Sequence, residues 1–376
     1  MGNVVSVNVY SERGIPFERS NVMRICEELS HVSREEREPD LFWLLYQTMR
    51  SLLKQKRLQE FHNFLREMEQ YPFPPHTEYM DAYIKLLRAF LLRAQGKTQA
   101  AAGLLKQSLH KHGELTRLGM KNVHVLCYRE LGNLGVDCKK YKDAIVHYQL
   151  AINHLPLNKD SEYMLAVLLG KIVFCNYRLN NFREAFADLE KVLLLVNKSS
   201  HTFVLLQAVI FKALLLGENY RQYRESNDCL EWAHELAVRN RYTDALANIW
   251  RIRGINYCHL EQYVSAEQAI QQSIMLSGDF DDREGVVLSQ LVLSELLIVQ
   301  GRKREAKQLL KNVCETINKQ QLFTDDSTYR LKLLCDKMSE NSKKWVTELH
   351  NDNDLLTTEV FAREKQLIVN DCFGFD

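Results

Sequence analysis

The sequence predicts an all-α fold: a right-handed superhelical solenoid of stacked helical hairpins, with a helical N-terminal section and C-terminal capping helices. Three observations predict it. The first is a period of about forty residues. A small or apolar residue is followed by apolar or small ones four and seven positions later, as in Ala144, Tyr148 and Ala151. The same pattern starts at Phe61, Ala101, Ala185, Ser226, Ala266 and Ala306, so the first members lie 40, 43, 41, 41, 40 and 40 residues apart. A fixed period of this length marks repeated supersecondary units, each unable to bury its apolar face alone. The second observation is proline. Five of six prolines precede residue 76, and only Pro156 follows, which suits a long run of helices. The third is an apolar content of 46%, enough to fill a continuous core between repeats.

Taken in order, residues 1–18 read as irregular. A first helix is expected near 19–30, with Ser20 as its N-cap, and others near 40–54 and 57–70. The box Ser33 and Glu36 is followed by Pro39, which delays the second of these to about Asp40. The segment Tyr71-Pro72-Phe73-Pro74-Pro75 is the sharpest break and separates the N-terminal section, 1–75, from the array, 76–320. Beyond 320 the period stops. Helices near 328–349 and 355–369 should cap the array within a C-terminal section, 321–376.

Within the array, 125–156 carries Tyr128, Leu131, Gly132, Ala144, Tyr148, Ala151 and Pro156. The repeat from Trp250 carries Gly254, Tyr257, Ala266, Ile270 and Ser273. These are the positions of the tetratricopeptide repeat, which the chain resembles over about 76–320. Small residues let the two helices of a hairpin cross closely and bulky ones fill the gaps. Gly96, Asn180 and Gly301 fall five residues before the second-helix anchor, where the turn favours positive φ. Arrays of this kind bind other chains along an extended face, which favours a binding protein over an enzyme.

The net charge of +1 gives no reason to expect nucleic acid or an anionic surface as partner. Nine cysteines with no Cys-x-x-Cys pair fit reduced thiols and a cytoplasmic location. No uninterrupted apolar run of eighteen residues occurs, so no membrane span is expected. The opening Met1-Gly2-Asn3-Val4-Val5-Ser6 matches the N-myristoylation pattern, the one feature that would bring a membrane into play.

No phosphate loop, nucleophile elbow or metalloprotease signature is present, and no catalytic residue, cofactor or metal ligand is expected. His110 and His112 stand two apart, so they leave a helix on different faces. The run Asp279, Asp281, Asp282 and Glu284 lacks the turn glycine of a calcium loop and reads as the cap of a helix starting near 284.

The richer signal lies on the first helix of each hairpin, which lines the inner face of such arrays. Counting back from the anchors gives the peptide-binding candidates Arg129, Asn133, Lys171, Phe174, Phe211, Lys212, Asn248, Arg251 and Glu295. Four consecutive repeats thus each offer an inward cation: Arg129, Lys171, Lys212 and Arg251. Amides can pair with an extended peptide backbone, cations with its carboxylates, and aromatics with its side chains. A carboxylate clamp of the chaperone-tail type matches Arg129 and Asn133 but fails at Lys171, where it needs Asn, and at Ala208, where it needs Lys.

The regular spacing, the total length and a helical N-terminal section ahead of the repeats resemble the peptide-pheromone receptors of Gram-positive bacteria, the Rap/NprR/PlcR group. The resemblance implies a superhelix that takes a short extended peptide in its groove and thereby changes what the N-terminal section does to a regulated protein partner. It also implies pairing through C-terminal repeats, hence a homodimer as an expectation. Residues 1–75 lack a convincing helix-turn-helix, with which the DNA-binding members begin; Rap-like members instead carry a helical bundle that docks response regulators. Gln47 stands where a Rap-like catalytic glutamine would be sought, although its surroundings do not follow that pattern. The alternative reading is a constitutive tetratricopeptide scaffold.

Overall fold

The computed structural model describes residues 58–70, 78–110, 121–155, 161–196 and 202–320, together with Leu331 and Leu334. The helices expected near 19–30, 40–54 and 355–369, that near 328–349 apart from Leu331 and Leu334, and Gln47 lie outside the described residues. Among the described residues every regular element is helical. They are α1 (Leu58–Gln70), α2 (Glu78–Ala94), α3 (Thr98–His110), α4 (Lys121–Asp137), α5 (Tyr141–Asn153), α6 (Glu162–Arg178), α7 (Phe182–Val196) and α8 (Thr202–Leu214). A π-helical turn (Leu215–Asn219) follows, then α9 (Tyr223–Arg239), α10 (Thr243–His259), α11 (Tyr263–Asp279), α12 (Arg283–Val299) and α13 (Lys303–Gln320).

Consecutive helices pack as hairpins: α2 with α3, α4 with α5, α6 with α7, α8 with α9, α10 with α11, and α12 with α13. The chain divides into two compact units, one ending at Ser161 and one starting at Glu162. Sequence reading placed no boundary there, although the break follows Pro156.

The anchor pattern holds. Ala101, Ala144, Ala185, Ser226, Ala266 and Ala306, the first anchors of α3, α5, α7, α9, α11 and α13, are all 0% exposed, as is Phe61 on α1. Full burial of so small a residue means that another helix crosses directly over it. The partner glycines show the same closeness. A Cβ on Gly132 would sit 2.3 Å from the Tyr148 ring, and one on Gly254 would sit 2.5 Å from Ile270. Substituted glycines here would push the hairpin apart.

The hairpin turns close with the left-handed C-cap that the anchor count implies. Gly96, Lys139, Asn180, Arg221, Glu261 and Gly301 all have positive φ, each five residues before its anchor. In the α4–α5 turn, Lys140 N–H donates to Gly135 C=O and Lys139 N–H to Val136 C=O, the pattern of a Schellman motif. Arg241 and Asp281 repeat the conformation between hairpins. At Asp281 the next residue, Asp282, caps α12 by accepting from Gly285 N–H at 2.9 Å, so the acidic run is a helix start, as expected.

The segment Thr202–Asn219 is apolar enough by composition to cross a membrane, with mean hydropathy 1.4, but 72% of it is buried inside the fold. It is a core helix of the second unit. Its last five residues are the π turn, which adds one residue to α8 relative to a plain helix. That extra residue has consequences for the site.

Candidate functional site

The first unit builds its polar centre from α2, α4 and α5. The guanidinium of Arg93 on α2 donates to Asp137 at 2.6 Å and to Glu130 at 3.0 Å, both on α4. Glu130 is 2% exposed, and its second oxygen accepts from Asn133 Nδ2 at 2.6 Å. Asn133 Oδ1 in turn accepts from the Tyr148 hydroxyl on α5 at 2.9 Å. Two sequence candidates are placed here. Asn133 is a link in this chain of hydrogen bonds, and Arg129, 5% exposed, is buried on the same helix. A charge cluster so enclosed holds together because each carboxylate has a charged or amide donor.

In the second unit the candidates fall into two sets. Asn248 and Arg251 come together: the Arg251 guanidinium donates to Asn248 Oδ1 at 2.5 Å. Glu295 on α12 faces the end of α10. Burial pushes the Cys258 thiol up to about 12, and the Glu295 carboxylate adds to that rise. Burial also holds His259 below its ordinary value, which Glu295 opposes and Arg221 reinforces. The His259 ring stacks on Tyr223 with centroids 4.5 Å apart. Lys171 and Phe174 lie on α6 at 8% and 6% exposure.

Lys212 and Phe211 are corrections. Lys212 donates to Glu190 at 2.7 Å and lies over the Phe186 ring, both on α7, a second helix. It therefore does not join the inward cations. Phe211 is 0% exposed, with its ring edge-on to Tyr177 at 5.4 Å, and fills core. The cause is the π turn. Counting back from Ser226 ignores the added residue, so the count runs one short upstream of it. Restoring that residue makes Lys212 the counterpart of Arg253, which pairs with Glu231 on α9 just as Lys212 pairs with Glu190 on α7. Phe211 then matches the buried Ile252, and Ile210 takes the place of Arg251. Gln207, 7% exposed and absent from the sequence candidates, becomes the counterpart of Asn248. The only available signal was the 41-residue spacing between Ala185 and Ser226, which does not say where the extra residue sits.

The π turn also shapes the surface beside it. Glu218, within the turn, accepts from the Tyr177 hydroxyl of α6 at 2.7 Å. A cavity of about 20 Å³, with room for roughly one water, opens among Gly217, Glu218, Tyr223, Asn256 and His259. Asn256 donates to Ser226 Oγ and Asn227 Oδ1 at 2.8 and 2.9 Å, which fixes its amide at the cavity wall.

One asymmetry runs through both units. Among the described residues, every buried charged, amide or imidazole side chain lies on the first helix of a hairpin, whereas the buried polar residues of second helices are all serines. No group of three or more His, Cys, Asp or Glu able to hold a metal ion occurs among the described residues.

Solved structures share this architecture. A Rap protein complexed with Competence and Sporulation Factor matches with a TM-score of 0.61 at 14% identity, over 89% of this chain and 92% of that one. The apo form of RapI matches with a TM-score of 0.60 at 14% identity, over 82% and 85%. Aspartyl phosphate phosphatase F from Bacillus subtilis matches with a TM-score of 0.55 at 12% identity, over 91% and 85%. No protein-family model matches the sequence, and no curated protein does. The chain has the fold of a tetratricopeptide-repeat solenoid. In fold it resembles the Rap group.

Proposed function

We propose that this protein is a cytoplasmic regulatory binding protein. It takes a short extended peptide on the first-helix face of its second unit and passes the event to a regulated protein through residues 1–75. The observation that carries this reading is the placement of buried charged and amide side chains on first helices, with only serines as buried polar residues on second helices. Gln207, Arg251 and Asn256 are buried and Asn248 is half-buried, whereas the buried positions of second helices hold only apolar or aromatic residues and serines. Buried amides and guanidinium groups are unfavourable unless they hold partners, and an extended peptide backbone needs such donors and acceptors at regular intervals. A Rap protein complexed with Competence and Sporulation Factor is a precedent on the same fold.

The test is retention of a peptide. Native mass spectrometry of the protein from its own host should show a bound peptide of about five to ten residues, the length that spans such a groove. Asn248→Ala should lose it while keeping the helical spectrum of the wild type. A protein that stays free of peptide and carries only a folded partner would replace this reading with the scaffold.

A further inference from the structure

The cavity beside the π turn is rimmed by groups that accept hydrogen bonds. Its floor includes Leu214, Ile252 and Ile255, and its rim carries Glu218, Asn256 and His259, with no lysine or arginine among the lining residues. Asn256 is 2% exposed. Both hydrogen bonds of its side chain leave from Nδ2, and its Oδ1 accepts none among the described residues. That oxygen faces Gly217, where an added Cβ would stand 2.9 Å away. The π turn thus sets a residue without a side chain against a buried acceptor and leaves the acceptor open to the cavity. A buried amide oxygen is unfavourable unless something from outside supplies it a donor. The rest of the rim has the same polarity. Glu218 is exposed, and the Tyr177 hydroxyl holds its carboxylate in place at 2.7 Å. His259 is fixed by its stack on Tyr223, and burial holds it below its ordinary value, so its ring is neutral near neutral pH and one nitrogen accepts. Glu295 and Arg221 act on His259 in opposite senses. With Glu218, the carboxylates here outnumber the guanidinium.

We infer that this cavity is a binding site for a primary ammonium group, carried by a lysine side chain of a peptide or by a small free amine. Three features select that group. An ammonium head is close to a water molecule in size, and the cavity of about 20 Å³ has room for roughly one water. It carries only N–H donors and no acceptor, which suits Asn256 Oδ1, the Glu218 carboxylate and the His259 ring together. Its charge is matched by Glu218, and its alkyl stem by the apolar floor. A guanidinium is too large for the space, and an anion meets the wrong sign. Where the amine belongs to a peptide, the inference rests on the reading above and places one of that peptide's side chains.

Histidine-ring NMR of the full chain, titrated with methylammonium chloride at fixed ionic strength, tests it without any peptide. One ring resonance should shift saturably, and the same resonance should be missing in His259→Gln. Glu218→Gln keeps an acceptor for Tyr177 but loses the charge. It should weaken methylammonium binding about ten-fold or more, as expected for a lost charge-assisted hydrogen bond. Tetramethylammonium has the charge without the N–H groups and should leave the resonance in place. Tighter binding of Nα-acetyl-lysine amide than of methylammonium would assign the group to a peptide side chain, and no gain would assign it to a small free amine. No saturable shift with methylammonium, an equal response to tetramethylammonium, or undiminished binding by Glu218→Gln would overturn the inference. Peptide retention in the native mass spectrum alongside any of those three results would leave the reading above standing.

Discussion

The two helices of each hairpin follow different rules, and the contrast explains more of this molecule than any single repeat does. Second helices are standardised. Their core faces repeat Ala or Ser, then a bulky residue, then a small or apolar one, and all of these are buried. First helices vary. They hold the glycines that admit close crossing, Gly132 and Gly254, and also the buried guanidinium, carboxylate and amide groups. A helix that only packs needs no such groups, since each is unfavourable to bury unpaired. The second helices therefore set the spacing of the array, and the first helices carry what distinguishes this chain from other arrays of the same fold.

The largest break in that contrast comes at an anchor. Ala266→Arg puts a charge where α10 crosses α11, and should lower the stability of the second unit by about 4 kcal/mol or more in urea denaturation. Next is the partner glycine. Gly132→Ala must displace the Tyr148 ring and break its hydrogen bond to Asn133, at a cost of about 2 kcal/mol. The matching change on a second helix, Gly103→Ala, meets nothing within 4 Å and should stabilise by about 0.5–1 kcal/mol through helix propensity. Opposite signs in thermal melts would separate the two helix roles.

The first helices also hold the thiols that burial raises most. Cys127, Cys175 and Cys258 are each pushed up to about 12 from an ordinary 9.0. Below pH 9 the folded and unfolded chains both keep these protons. Above it the unfolded chain releases them while the folded one does not, so stability falls between about pH 9 and 12. Cys175→Ala should flatten that decline by one group's share in pH-dependent denaturation. Alkylation at pH 8 should label exposed Cys138 and leave these three unmodified. The smallest effect is at a turn. Glu261 holds φ 60, so Glu261→Gly should stabilise by about 0.5–1 kcal/mol, whereas Glu267→Gly inside α11 should destabilise.

The array was legible because its determinants repeat. Seven anchors in phase fix helix pairing, and the five-residue offset fixes the turns, even at Lys139, Arg221 and Glu261, whose identities give no hint of a left-handed turn. The site was legible only in part. Counting pointed to the first helices, and two of the residues it picked, Asn248 and Arg251, hydrogen-bond to each other. It failed at Phe211 and Lys212, because a single π turn shifts the register without changing any local propensity. It also missed Arg93, whose partners lie on the next hairpin's first helix rather than within its own repeat.

The central claim is that ligand recognition belongs to first helices and packing to second helices. Its most direct test is native mass spectrometry of wild type, Arg251→Ala and Lys191→Ala, each recovered from the protein's own host. Arg251 sits on α10 and is 4% exposed, whereas Lys191 sits exposed on α7 and pairs with its neighbour Asp188 at 2.8 Å. The account predicts that wild type and Lys191→Ala retain the same peptide and that Arg251→Ala loses it, with affinity lowered by about 1.5–3 kcal/mol as expected for a charge-assisted hydrogen bond. Equal peptide retention in all three proteins would contradict it.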